Sequence, residues 1–107
     1  MLKKKYILPK TKKTQNFLKS ENTKFFLIKY KENNFDFCRF AVVVPKKLVK
    51  KAVERNKIKR QVKAILKDYV KIGNYDFLIF LKNKSNFAGF KEDLEEFFKK
   101  FEHGKNF

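Results

Sequence analysis

One cysteine, Cys38, and one histidine, His103, are the only soft metal ligands in this chain. A lone thiol excludes an internal disulfide and any multi-thiolate zinc site, and a single imidazole cannot complete a His/Cys metal centre. Cys38 therefore reads as a small apolar residue packed in a strand, and His103 as a solvated residue at a helix end beside Gly104. With three glycines in all, the chain has no glycine loop to cradle a phosphate. Carboxylates are scarce as well, 11 Asp and Glu against 28 Lys and Arg. The one acidic cluster, Glu92, Asp93, Glu95 and Glu96, falls on a helix whose other side is aromatic, and it reads as a solvated face that partly offsets the basic surface. A protein nuclease needs clustered carboxylates around a metal, or a histidine pair for acid–base work, and neither is in view.

Long hydrophobic runs are missing too. No segment approaches the roughly 18 unbroken apolar residues of a membrane span. The start, "MLKKKYILPKTKK", is basic but has an apolar run only from Tyr6 to Leu8, too short for a secretory signal. The expectation is a cytoplasmic protein with no membrane partner and no small-molecule substrate.

What is present is positive charge on a folding sequence. Hydrophobic residues make up 43% of the chain and aromatic ones 17%, so this is not a disordered basic tail. At 107 residues there is room for one domain with one core, residues 1–107. The net charge is +17, and self-repulsion of that size points to a polyanionic partner, nucleic acid first. Lysine supplies most of the charge, in a composition also rich in Asn, Phe and Ile. The three arginines, Arg39, Arg55 and Arg60, are more telling, because a guanidinium offers a planar fork of donors and an ammonium does not.

Residues 1–13 read as a basic, mobile arm containing Pro9. Thr14 can cap a short helix through about Ser20 that carries Phe17 and Leu18. "KFFLIKYK", 24–31, suits a strand and "ENN" a turn. "DFCRFAVVV", 36–44, is the clearest strand, and its Ala-Val-Val-Val run suggests a central one buried on both faces. From about Leu48 the period becomes helical: Ile58, Val62, Ile65, Leu66 and Tyr69 share one arc, and Asn56, Lys59, Arg60, Lys63 and Lys67 the opposite one. Gly73 is the expected C-terminal glycine of that helix. "YDFLIFLK", 75–82, reads as a core strand, "NKSN" as a turn, and 87–102 as a helix with Phe90, Leu94, Phe97, Phe98 and Phe101 on one side. The order α-β-β-α-β-α predicts an α+β domain of two layers, with helices mainly on one face of the sheet.

Between Lys46 and Lys67 there are ten basic residues and one acidic, arranged so that one helical face packs and the other is cationic. A lysine-rich face is often merely solvated. Arg55-Asn56 at the helix start, with Arg60 a turn later, favours docking on phosphates, which helix N-terminal amides also attract. Strand aromatics beside a basic surface can stack on unpaired bases, although most of the fourteen phenylalanines must be core.

"RFAVVVPKKLVKKAVERNKIKRQVK", 39–63, resembles the bacterial ribonuclease P protein subunit: a strand, a Lys-Lys pair, then Ala-x-x-Arg-Asn-x-x-Lys-Arg on a helix. "NFLKS", "KFFLIKY" and "YDFLIFLK" fall where that family has its first helix, first strand and late strand. The resemblance implies a mixed sheet with a left-handed βαβ crossover, akin to the second domain of a small-subunit ribosomal protein. It implies a protein that binds a catalytic RNA and the 5′ leader of precursor tRNA, and assists removal of the leader, with catalysis left to the RNA and Mg2+. Carried over by position, Lys46, Lys47, Arg55, Asn56, Lys57, Lys59, Arg60, Lys63 and Lys67 would contact the RNA subunit, Asn56 beside a hydrated magnesium ion. Phe17, Phe25, Leu27 and Tyr30 would line the leader cleft. Lysine replaces a usual arginine at 57 and 63, keeping charge and losing the bidentate fork. Pro45 stands where a small residue is common and should end the strand. The rival readings are a general or ribosomal RNA-binding protein, and a protein-only nuclease using Glu92, Asp93, Glu95 and Glu96.

Overall fold

The computed structural model describes residues 2–8 and 19–104, the last two without their side chains. Four strands, β1 (Lys19–Asn22), β2 (Phe26–Glu32), β3 (Arg39–Val43) and β4 (Tyr75–Leu81), form one sheet in the order β1-β2-β4-β3. β1–β2 and β2–β4 are antiparallel, and β3 runs parallel to β4. Two helices, α1 (Ala52–Leu66) and α2 (Phe87–Gly104), complete a mixed α+β domain. The parallel pair is joined through α1, as a parallel connection requires a long crossover.

Alternation along the strands divides the sheet into two faces. Phe26, Ile28, Phe40, Phe77, Ile79 and Leu81 are buried on the face that meets the helices. α2 brings Phe90, Leu94, Phe97 and Phe98 to it and α1 brings Ile58, Val62, Ile65 and Leu66. Phe77 sits at the centre, stacked on Phe40 and edge-on to Phe97, Phe98 and Phe101. Cys38 is buried as expected, but it lies just before β3 and not in the strand, and its Sγ donates to the Gly73 carbonyl at 3.4 Å.

Several expectations change. The clearest strand in the sequence, β3, is an edge strand and not a central one; β4 lies between its neighbours. Its hydrophobicity has another cause, because α1 packs against it and the N-terminal segment covers its free edge. Ile7 pairs with Phe40, and the Leu8 amide donates to the Phe40 carbonyl at 2.7 Å. The first part of the expected mobile arm is thus packed: Lys4–Tyr6 form a 3-10 turn, and Leu2, Tyr6 and Leu8 are buried. Ser20, expected at the end of a first helix, lies in β1. Lys19, also expected in that helix, lies in β1 too, and the remaining positions, Thr14 and Phe17 among them, lie outside the described residues. α1 begins at Ala52, after a turn in which the Leu48 and Val49 amides both donate to the Pro45 carbonyl. It ends at Leu66 in a short 3-10 turn, Lys67–Tyr69. Gly73 has no positive φ and does not cap it.

Candidate nucleic-acid interface

α1 is held by an apolar stripe, and its other positions are left to solvent. Ile58 and Val62 are four apart, and Ile65 and Leu66 follow one turn on, so all four point into the core. The same spacing aligns Asn56, Arg60, Lys63 and Lys67 along the outer side. Asn56, Lys57, Arg60 and Lys67 are exposed, and Lys59 and Lys63 are half-buried. Lys46 and Lys47 are exposed in the turn before the helix. The structure therefore brings together the nine residues expected to bind RNA, on one helix, the link leading into it and the turn that follows it.

Arg55 departs from that exposed array. It is half-buried, and its Nη1 donates to the carbonyls of Val49 at 3.0 Å and Lys50 at 2.7 Å. Arg39 is also occupied internally. Its Nε and Nη2 form a fork on Asp76 at 2.9 and 2.8 Å, and the guanidinium lies 4.7 Å above the Phe35 ring. Asp76 is 1% exposed and accepts a third bond from Asn33 Nδ2 at 2.8 Å. Of the three arginines, Arg60 is the one with its side chain presented to solvent.

Of the residues expected to line a cleft, Phe17 lies outside the described residues, and Phe25, Leu27 and Tyr30 do not share one surface. Leu27 is on the outer face of the sheet, away from the helices. Tyr30 is on the inner face, packed against Tyr75, Phe77 and Phe101. Burial, with Glu21 and Tyr75 nearby, pushes its phenol above the ordinary value. Phe25 precedes β2 and meets Phe90 edge-on, with Lys24 over its ring. What shares the outer face with Leu27 is Lys29, Lys31 and Phe80, by the pairing of Leu27 with Phe80 and of Lys31 with Asp76. Lys29 Nζ lies 5.7 Å from the Phe80 ring centre. The signal for this set was in the sequence: once Phe26 and Ile28 are assigned to the core, 27, 29 and 31 must face outward.

The acidic cluster is not a uniform solvated face. Glu92, Glu95 and Glu96 are exposed, but Asp93 is buried and accepts from Thr23 Oγ1 at 2.7 Å, the Phe25 amide at 2.9 Å and the Lys24 amide at 3.2 Å. Among the described residues no group of three or more His, Cys, Asp or Glu could hold a metal ion, and Asn56 contributes a single neutral oxygen. The described residues thus supply no cluster that would hold magnesium on protein ligands alone. No helix of the described residues is long and apolar enough to cross a membrane.

The Ribonuclease P family model matches residues 2–102. The ribonuclease P protein component of Mesoplasma florum is 36% identical over 74 residues, 66% of this chain and 66% of that protein. The Syntrophomonas wolfei component is 37% identical over 83 residues, 72% and 68% of the two chains. These alignments span about two thirds of each relative. Among solved structures, the Staphylococcus aureus RNase P protein superposes with a TM-score of 0.78 at 25% identity, over 88% of this chain and 93% of that one. The Thermotoga maritima RNase P protein shares the fold, with a TM-score of 0.70 at 23% identity over 87% and 97%. A family match of this extent, joined to the cationic helix that carries the motif, shows that the chain belongs to the ribonuclease P protein family.

Proposed function

We propose that this protein is the RNA-binding subunit of a cytoplasmic ribonuclease P, a hydrolase in which the RNA and its Mg2+ cut the 5′ leader from precursor tRNA. The observation that carries this reading is the exposed set of Asn56, Lys57 and Arg60 on α1 with Lys67 in the turn that ends it, backed by Lys46 and Lys47. A rigid row of cations on a buried scaffold neutralises phosphates and releases counterions, which strengthens docking at low salt. The leader would then cross the outer face of the sheet. There Leu27 and Phe80 offer apolar contact to unpaired bases, and Lys29 and Lys31 offer charge to their phosphates. Magnesium is supplied and held mainly by the RNA. The protein's own contribution is to lower phosphate repulsion where two RNAs meet, so that less magnesium is needed.

The test is cleavage of a 5′-leader precursor tRNA by a bacterial ribonuclease P RNA at low magnesium, with and without the protein. Restored cleavage at the mature 5′ end, by a protein inert alone, is the expected result. Binding without restoration would favour a general RNA-binding role. Cleavage by the protein alone would favour a protein nuclease.

A further inference from the structure

Arg55 is a motif residue with an engaged fork. Its Nη1 carries two N–H bonds, directed at the carbonyls of Val49 and Lys50. Both carbonyls belong to the link between β3 and α1. The link is tied at its far end by the Leu48 and Val49 amides, donating to the Pro45 carbonyl at 3.1 and 3.0 Å. It is anchored in the middle by Val49, which is fully buried. At the helix end no side chain caps α1, since Lys51 makes no side-chain cap bond. The link carries Lys46, Lys47, Lys50 and Lys51, all exposed. Four like charges within six residues repel one another, and the backbone bond at the helix end, from the Arg55 amide to the Lys51 carbonyl at 3.0 Å, leaves the Val49 and Lys50 carbonyls to a tie of their own. The guanidinium supplies that tie from one turn inside the helix.

We propose that Arg55 is a positioning residue. It acts on RNA through the link, holding Lys46, Lys47, Lys50 and Lys51 in a fixed array, and does not give its own fork to a phosphate. A preorganised array loses less conformational freedom on docking than four mobile lysines would. The inference rests on the RNA-binding reading above, and it separates Arg55 from Arg60, whose exposed side chain is free to meet phosphate directly.

The two roles differ in salt dependence. A residue that neutralises a phosphate contributes about 0.7–0.9 to the slope of log K against log salt, and a residue that only orders its neighbours contributes none. The experiment measures binding of the full-length protein to a bacterial ribonuclease P RNA across a salt series. It compares wild type, Arg55→Ala, Arg55→Lys and Arg60→Ala, with the rate of limited tryptic cleavage after Lys46, Lys47, Lys50 and Lys51 followed in the free proteins. For Arg55→Ala the expected result is a loss of affinity of about tenfold or more, an unchanged slope and faster cleavage in the link. Arg60→Ala should lower the slope and leave cleavage unchanged. Arg55→Lys, which keeps the charge, should recover affinity only as far as it recovers protease resistance. Arg55→Ala losing about 0.7–0.9 of slope with the link still resistant would overturn the inference and leave RNA binding standing. Wild-type protein that fails to bind the RNA would overturn the functional reading and this inference with it. Circular dichroism confirms that each variant compared is folded.

Discussion

In a chain where lysine supplies most of the positive charge, the arginines mark places where one planar group must serve two acceptors or a surface contact. Arg39 forks onto Asp76, and Arg55 onto two carbonyls. The sequence identified all three as informative, but the use of the first two inside the fold depends on partners 37 and six residues away. Asp76 came from a strand whose apolar neighbours dominate its pattern, so nothing local pointed to it. Asp76→Ala removes the acceptor of three bonds and leaves Arg39 half-buried without its partner. Breaking a buried pair from one side costs about 3–5 kcal/mol. Arg39 can turn partly to water, so urea unfolding should show a loss near about 3 kcal/mol. Arg39→Lys keeps the charge and loses the fork, and should cost about 1 kcal/mol. Equal losses for the two variants would show that charge alone matters there.

Elements were legible where periodicity and burial agreed, as in β4, α2 and the apolar stripe of α1. They were not where the tertiary setting decides: β3 reads as central because its edge is sealed by the N-terminal segment, and β1 is fully exposed and has no apolar pattern to betray it. Helical spacing alone anticipated the packed stripe of α1 and the exposure of Asn56, Arg60 and Lys67, but not the half-burial of Arg55, Lys59 and Lys63. The face of β2 was not legible, since "KFFLIKYK" allows two registers until Phe26 is seen to meet Phe90. α2 is joined to the β1–β2 turn by Asp93, an acid that sequence reading grouped with its solvated neighbours. Asp93→Ala strands the Lys24 and Phe25 amides and leaves the Thr23 hydroxyl only the Phe26 carbonyl at 3.2 Å, with an expected cost of about 2–3 kcal/mol. Hydrogen exchange should show the Lys24 and Phe25 amides opening first, while β4 stays protected. Uniform loss of protection would deny Asp93 this local role. Alkali tests the same layer. Burial first, and nearby acids second, push the phenols of Tyr30, Tyr69 and Tyr75 above their ordinary value. A raised folded pKa stabilises the fold fully below the unfolded pKa, about 10, and this contribution is lost as pH rises through the folded values. Late phenolate absorbance should therefore appear together with loss of the near-ultraviolet dichroism. Phenolate formation with that signal intact would refute it.

For the whole molecule the decisive quantity is charge +17 on a domain whose radius of gyration is 13.2 Å. Ion pairs among the described residues include the Arg39–Asp76 fork, the exposed Lys100–Glu96 pair at 3.6 Å and the exposed Lys84–Glu54 pair at 4.0 Å, and exposed pairs contribute little. The free protein therefore carries its self-repulsion as a standing penalty that screening relieves. Salt should then act in opposite directions on the two properties of one molecule. Raising sodium chloride from low to moderate concentration should stabilise the free protein by about 1 kcal/mol, roughly 4–8 °C in Tm for a domain of this size, while weakening its grip on RNA. A polyanion such as heparin at low salt should raise Tm further, because it binds the native charge array and not the bulk solution. A thermal midpoint that falls or stays level with added salt would mean that these charges are already balanced within the fold. The basic surface would then have to be explained by something other than an absent polyanion.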